Sequence, residues 1–268
     1  MCSQRRNRES SAEKPDLDIA EYHKMHALEA TYWWFQGRRD IILGQLGILL
    51  PRLRRETPGR PLRLLDVGCG TGMLLQTLEQ EGLAVGLDFS PVALRYCRDR
   101  CLKNLGRADV RHLPIANDSV DLITALDLVE HIRDDAGLLG EFRRVLRPGG
   151  LALMSVPAHK NLWSGHDVAL HHYRRYEKAE FRALVENAGL QIERHTSAVA
   201  TVYPAAALFR RVKRRFAKPQ NSPRTDEFPL PAILNSILHR LLTLEAYWLR
   251  RHDLPFGLSI LCLARKAP

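Results

Sequence analysis

"LRLLDVGCGTGM", residues 62–73, begins as a short apolar run and ends in three glycines spaced two apart. An apolar run that enters a glycine-rich turn reads as a parallel strand buried on both faces. The helical stretch "MLLQTLEQEG" follows at once, so the unit is strand, turn, helix. Gly68, Gly70 and Gly72 allow a tight turn and let a ligand approach the backbone where a Cβ would obstruct it. With Asp66 just before them they form a loop of the nucleotide-holding kind. It is not the dinucleotide fingerprint, because the last position of that pattern falls on Met73. It is not a phosphate-cradling P-loop either, because the Gly-Lys-Ser/Thr ending is missing.

Working outward, "LAVGLDFS" (83–90) reads as the next strand, followed by a helix from Pro91 to about residue 104 and a short strand near 107–111. "SVDLITAL" (119–126) is another strand. "GLLGEFRRVLRPGG" is a helix stopped by Pro148-Gly149-Gly150, and "LALMSVP" is strand again. Strands alternating with helices at this pace predict an α/β fold with a doubly wound parallel sheet. After residue 157 a loop rich in histidine and aromatics runs to Tyr176. The helix "KAEFRALVENAG" and a strand near 190–196 follow. Residues 203–254 read as two amphipathic helices around the loop "KPQNSPRTDEFPLP", and "GLSILCLARK" closes the fold as a last strand. Upstream, "LDIAEYHKMHALEATYWWF" and "RRDIILGQLGILLPRLRR" have helical spacing. The expected organisation is a disordered tail (1–15), a helical and aromatic cap (16–60), a cofactor-binding core (61–202), a basic helical insertion (203–254) and the final strand (255–268).

Composition narrows the classes. No apolar run approaches the ~20 residues of a membrane-spanning helix, and "MCSQRRNRESSAEKP" lacks the apolar stretch of a signal peptide. Five cysteines without a CxxC pair fit a reducing cytoplasmic setting. Cys97 and Cys101, one helical turn apart, have no partner ligands that would make them a metal site. The net charge of +10 is unevenly spread. Residues 61–202 carry 17 Lys and Arg against 18 Asp and Glu, whereas residues 203–255 carry 10 against 4. A basic segment beside a neutral core is either a solvated face or a surface for a polyanionic partner.

Two further acids complete the nucleotide reading. Asp88 ends the second strand, where a carboxylate can accept hydrogen bonds from both ribose hydroxyls. Asp109, in "ADVRHLP", lies where an adenine edge would sit. With these residues the stretches "LLDVGCGTG", "GLDFSPVAL", "ADVRHLPIANDSVDLITALDLVEHI" and "RVLRPGGLALMSVP", over roughly residues 60–160, resemble the class I S-adenosylmethionine-dependent methyltransferases. The resemblance implies a Rossmann-like sheet of seven strands with the last one antiparallel. It implies that the loop from Asp66 to Gly72 holds the methionine part of the cofactor, Asp88 the ribose, and Asp109 and Val110 the adenine.

The acceptor side centres on Asp127-Leu-Val-Glu130-His131. Asp-x-x-Glu at a helix start also reads as a capping box, which leaves His131 without a role. Two groups resemble this pattern: ubiquinone-biosynthesis O-methyltransferases and small-RNA 2′-O-methyltransferases. The second implies a divalent metal held by Asp127, Glu130, His131 and His172, with His171 the alternative. Two carboxylates and two imidazoles suit Zn²⁺, Mn²⁺ or Fe²⁺ better than Mg²⁺. The metal-free alternative makes His131, with Glu130, the general base. "EATYWWFQGRRDII" (29–42) together with "HDVALHHYRRY" most closely resembles bacterial methyltransferases associated with cell-envelope glycan or lipid pathways. On that resemblance Trp33, Trp34 and Phe35 cap the cofactor cleft, and Arg38 or Arg39 pairs with the methionine carboxylate. The alternative is that these aromatics only dock the N-terminal helix.

The reading as a whole is a cytoplasmic methyltransferase acting on an oxygen of a lipid-linked, polyprenyl or quinone-like acceptor. Residues 203–254 are expected to rest on an anionic membrane at its inner face, or to form a lid over the acceptor. The rivals are an RNA 2′-O-methyltransferase, for which no nucleic-acid module is visible, and a non-catalytic cofactor-binding scaffold.

Overall fold

The chain alternates strand and helix from Arg63 onward, and in the computed structural model these elements wind into one mixed sheet. Residues 19–208 and 230–267 are described. The strands are β1 (Arg63–Val67), β2 (Leu83–Asp88), β3 (Leu105–Arg107), β4 (Val120–Leu126), β5 (Leu146–Pro157), β6 (Leu190–Ala198) and β7 (Ser259–Lys266). Their order is β3-β2-β1-β4-β5-β7-β6. All neighbours are parallel except β7, which runs antiparallel between β5 and β6.

Strand residues alternate between two cores. Leu64 faces one layer, while Leu65 and Val67 face the other. The first layer holds α2 (Trp33–Glu56), α3 (Met73–Glu81) and α4 (Pro91–Asp99). The second is filled by α5 (Asp135–Val145) and α7 (Lys178–Asn187), through Leu138, Leu139, Phe142, Phe181 and Val185, all fully buried. The remaining helices are α1 (Ile19–Leu28), α6 (Gly165–Ala169), α8, described over 203–208, and α9 (Ala232–Trp248). No helix among the described residues is long and apolar enough to cross a membrane.

Several boundaries differ from the sequence expectation, each for a local reason. Trp33, Trp34 and Phe35 start α2 rather than ending the helix before it. The helix from Pro91 stops at Asp99, because Cys101 turns left-handed (φ 63°). β3 is complete by Arg107, so Asp109 lies two residues beyond the strand. β5 starts at Leu146 and takes in Pro148-Gly149-Gly150, with a register shift opposite Val120 and Leu122. The expected tail at 1–15 and the basic run from Arg210 to Arg215 lie outside the described residues.

The insertion's second helix carries an apolar stripe at residues 234, 237, 238, 241, 244 and 248, the face that would meet a membrane or, in the lid alternative, pack on the sheet. The stripe, Leu238 apart, does not pack on the sheet. Instead α9 turns Leu242, Ala246 and Leu249 into the first core, with Leu238 half-buried, and leaves Leu234, Ile237, Leu241, Leu244 and Trp248 exposed. Polar anchors set this orientation. Asn235 accepts from Trp33 N (2.9 Å) and donates to Thr31 O (3.0 Å), His239 and Thr243 both meet Asp40, and Gln45 donates to Leu249 O (3.0 Å). Buried Glu245 accepts from the backbone N–H groups of Ala200 and Thr201.

Close approach of α2 to α9 depends on Gly37, where an added Cβ would lie 2.5 Å from Leu242 Cβ. Gly37→Ala should therefore cost about 1–3 kcal/mol, the usual range for overpacking. Gly47, in the same helix with open space around it, should gain about 0.5–1 kcal/mol on change to alanine. Urea unfolding of the two variants checks the opposite signs.

Candidate active site

Where β1 passes into α3, the chain turns through Gly68 (φ 72°), Gly70 (55°) and Gly72 (84°). A Cβ on Gly68 would stand 2.9 Å from Leu128, and one on Gly72 would stand 2.6 Å from Leu102 and 2.9 Å from Cys97 Sγ. The turn is pinned to β2. Gly68 N and Cys69 N donate to Leu87 O, and the Asp88 carboxylate accepts from Gly70 N and from Ser90 N, each at 2.9 Å. Asp88 also lines the cleft. Asp66 stands behind the loop, fully enclosed, and accepts from Thr124 Oγ1 at 2.6 Å. Burial, with a smaller contribution from the charge of Asp88, pushes its pKa up to about 7 against the pull of the Thr124 hydrogen bond.

The N-terminal helices close over this loop. Met25 Cε lies 3.4 Å from where a Cβ on Gly70 would be. Glu29, at the end of α1 and 5% exposed, receives Thr71 Oγ1 and Arg100, and Arg100 also donates to Thr71 O (2.8 Å). His26 stacks on Tyr96 with ring centroids 3.9 Å apart. The aromatic string divides its work. Trp33 belongs to the α2–α9 seam, while Trp34 and Phe35 line the cleft. Arg38 lies over the Trp34 ring (5.3 Å), forms an ion pair with Asp127 and donates to Ser155 Oγ (3.2 Å). Arg39 points elsewhere, to Met73 Sδ.

At the other end of the cleft, a short 3-10 turn, Val129–His131, places Glu130 fully inside the protein. Neither of its carboxylate oxygens has a hydrogen-bond partner among the described residues. Burial, and then the charge of Asp127, raise its pKa well above the usual range. His172 stands opposite, with Nε2 4.0 Å from Glu130 Oε1 and its ring edge-on to His131 at 4.7 Å. Asp167 orients it. The carboxylate takes His172 Nδ1 at 3.1 Å and Arg175 Nε at 2.7 Å. Burial would raise the Asp167 pKa, but the His172 hydrogen bond and the Arg175 charge together hold it below the usual range.

Glu130, His131 and His172 each offer one ligand atom, all within 4.8 Å of one another. Asp127 does not join this group. Its backbone is left-handed (φ 52°) and its carboxylate is held by Arg38 and Ser155, apart from the three residues that the expected metal site would share with it. The capping-box alternative also fails, since the turn has Leu128 at its N-cap and no side-chain cap. His171 lines the cleft but lies outside the cluster.

All of this surrounds one cleft of about 810 Å³. Gly68, Gly70, Asp88, Asp109, Val110, Trp34, Arg38, Glu130, His131 and His172 line it, whereas Asp66 and Gly72 serve the loop from behind. Asp109 reaches the cleft already paired with Arg111, which holds its pKa low. The sequence reading missed Glu29 and Asp167. Asp167 had a readable signal: Ser164-x-x-Asp167 is a capping box, and it caps α6.

Residues 65–154 match the family described as methyltransferase domain. A probable S-adenosylmethionine-dependent methyltransferase of Mycolicibacterium smegmatis is 33% identical over 173 residues, 62% of each chain. A ubiquinone biosynthesis O-methyltransferase of Xanthomonas axonopodis is 26% identical over 70% of this chain and 87% of its own. This chain spans 62–64% of the first three curated relatives it matches, somewhat under two thirds of their length. Among solved structures, a chain from the complex between the Haloferax volcanii Trm112 methyltransferase activator and a methyltransferase superposes with a TM-score of 0.57. It is 21% identical and covers 93% of this chain and 95% of its own. The [4+2]-cyclase SpnF superposes at 0.51 with 19% identity, covering 82% and 80%. Those likenesses establish the fold alone, and the cyclase shows that the reaction has to be argued from the site.

Asp66 supplies a pH test. Its folded pKa is raised from 3.8 to about 7, so the native state holds an extra proton between those values. Its stabilising contribution is complete below pH 3.8 and is lost as pH rises through 7. Relative to Asp66→Asn, the wild type should lose on the order of 4 kcal/mol across that window. Urea unfolding between pH 4 and 8 checks this, and parallel profiles would show that Asp66 ionises normally.

Proposed function

We propose that this chain, a class I S-adenosylmethionine-dependent methyltransferase by its domain and its relatives, methylates an oxygen of a lipid-linked, polyprenyl or quinone-like small-molecule acceptor. One observation carries the reading: a single cleft holds the glycine turn and Asp88 at one end and Glu130, His131 and His172 at the other. The names of relatives that are ubiquinone biosynthesis O-methyltransferases support oxygen as the atom methylated.

The turn fits the cofactor because Gly68 and Gly70 expose backbone where any side chain would intrude. When bound, the cofactor supplies an electrophilic methyl group on a sulfonium. The chain's residues would do the rest. Asp88 would accept from ribose hydroxyls, buried Val110 would pack against the base, and Arg38 would share its charge between Asp127 and the amino-acid carboxylate. Trp34, Phe35 and Leu170 would exclude water. An acceptor hydroxyl needs to shed its proton as it attacks, and two groups can take it: half-buried His131, and Glu130, whose burial raises its proton affinity.

Glu130, His131 and His172 also form a donor set for Zn²⁺, Mn²⁺ or Fe²⁺. The unpartnered buried carboxylate is what a cation would satisfy, and Asp167 orients His172 as carboxylates orient metal-bound histidines. Such an ion would lower the pKa of a hydroxyl bound to it.

The reading is tested by incubating methyl-labelled cofactor with membrane-lipid and RNA extracts. Label should enter the lipid fraction. Asp88→Ala should weaken cofactor binding by about 30- to 1000-fold, as for loss of charge-assisted hydrogen bonds worth about 2–4 kcal/mol. Label in RNA alone, or in nothing, would reject it.

The metal has its own test. Titration calorimetry should detect one Mn²⁺ or Zn²⁺ per chain, weakened about 10- to 100-fold by Asp167→Asn with cofactor affinity unchanged. No heat of binding, with full turnover in chelator, would leave His131 as a metal-free base.

A further inference from the structure

The face of α9 turned away from the protein carries seven exposed apolar side chains along its length, interrupted at its middle by Arg240. Ile233 (78% exposed), Leu234, Ile237, Leu241, Leu244 (67%), Tyr247 (70%) and Trp248 all stand in solvent. From Ile233 to Trp248 they extend over roughly 22 Å at 1.5 Å per residue. Exposed apolar patches of this extent mark interaction sites. The opposite face of the helix is the one that meets α2 and the core.

The polar groups around the stripe are one-sided. Glu245 is the helix's only acid, and it is buried, held by the backbone of Ala200 and Thr201. The exposed charged residues of 231–251 are Arg240, Arg250 and Arg251, and the next exposed acid, Asp253, is paired with Arg194. On a helical wheel Arg240 falls between Tyr247 and Ile233, inside the apolar stripe near one edge. Apolar side chains, two aromatics at one end and accompanying arginines describe a helix lying in the plane of a lipid headgroup layer.

We propose that this face of α9 seats the protein reversibly on an anionic lipid surface. Charge weighs against the main rival, a second copy of the chain. Arg240 is the midpoint of Ala232–Trp248, so a two-fold antiparallel pairing would set it against its own copy, and the helix's own acid, Glu245, is buried. Anionic headgroups satisfy the same arginines. Seating also has a geometric consequence, because Asn235 on α9 binds Thr31 and Trp33, next to Trp34 at the cleft wall. The lipid plane would thus lie beside the cleft rather than across its mouth, since no α9 residue lines it. The inference does not depend on which acceptor is methylated, and its test involves no methyl transfer.

The test is co-sedimentation of the full chain with phosphatidylglycerol vesicles and, separately, phosphatidylcholine vesicles, at low and high salt. Wild type should pellet with phosphatidylglycerol, less so at high salt, and stay soluble with phosphatidylcholine. Ile237→Asp and Leu244→Asp alter exposed positions and should keep cofactor binding while losing at least tenfold in vesicle affinity. Arg240→Gln and Arg251→Gln should each lose about fivefold. Wild type left in the supernatant, or aspartate variants that pellet equally, would overturn the proposal. So would a wild-type dimer in sedimentation velocity that the aspartate variants dissociate, which would assign the face to a second copy.

Discussion

The left-handed backbone between β1 and α3 is the constraint on which the cleft depends. Only glycine occupies such angles without strain, and at Gly68 and Gly72 the neighbours stand too close for any Cβ. With that turn fixed, Asp88 can reach across to Gly70 N, Leu128 can close down from the end of β4, and the first turn of α3 starts in register. The parallel sheet accounts for the rest: its strands end on one edge, so loops from β1, β2, β3, β4 and β5 meet there. Ligand sites in open α/β sheets gather at that edge.

Charge is distributed in the cleft by two arginines acting in opposite directions. Arg38 draws Asp127 away from Glu130 and ties the cap to the ends of β4 and β5. Arg175 fixes Asp167 below, and through it the ring of His172. Glu130 between them has no hydrogen-bond partner among the described residues, and its burial, then the charge of Asp127, raises its proton affinity. At the other end Arg100 joins Glu29 to the glycine loop. Each arginine connects an element outside the sheet with a strand-end loop, so the cap and the loops behave as one wall.

Features held by local chemistry were legible in the sequence. The glycine spacing, the strand-ending acids and the alternation of strand with helix yielded the sheet and the turn at its cleft end, because each depends on backbone geometry within a few residues. Which face of the insertion's second helix docks was not legible. The stripe of Leu234, Ile237, Leu241, Leu244 and Trp248 suited a membrane seat and a packed lid equally, whereas the helix is held by Asn235, His239, Thr243 and Glu245 through partners up to 204 residues away. Asp127 is a similar case: spacing sets it beside Glu130, whereas a salt bridge to Arg38, 89 positions earlier, holds its carboxylate. Glu29 had no pattern to find, since its partners Thr71 and Arg100 lie far along the chain.

The antiparallel β7 has a consequence for how the protein is made. It inserts between β5, finished at Pro157, and β6, finished at Ala198, yet begins only at Ser259. At about 5–20 residues per second on the ribosome, β6 waits roughly 3–12 s for its only sheet neighbour. During that interval β5, buried on both faces in the finished protein, presents an open edge of the kind that recruits other strands. The nascent chain is thus most exposed to misassembly after most of the cleft has been synthesised. A chaperone that shields the free edge of β5 would act on yield without touching a catalytic group.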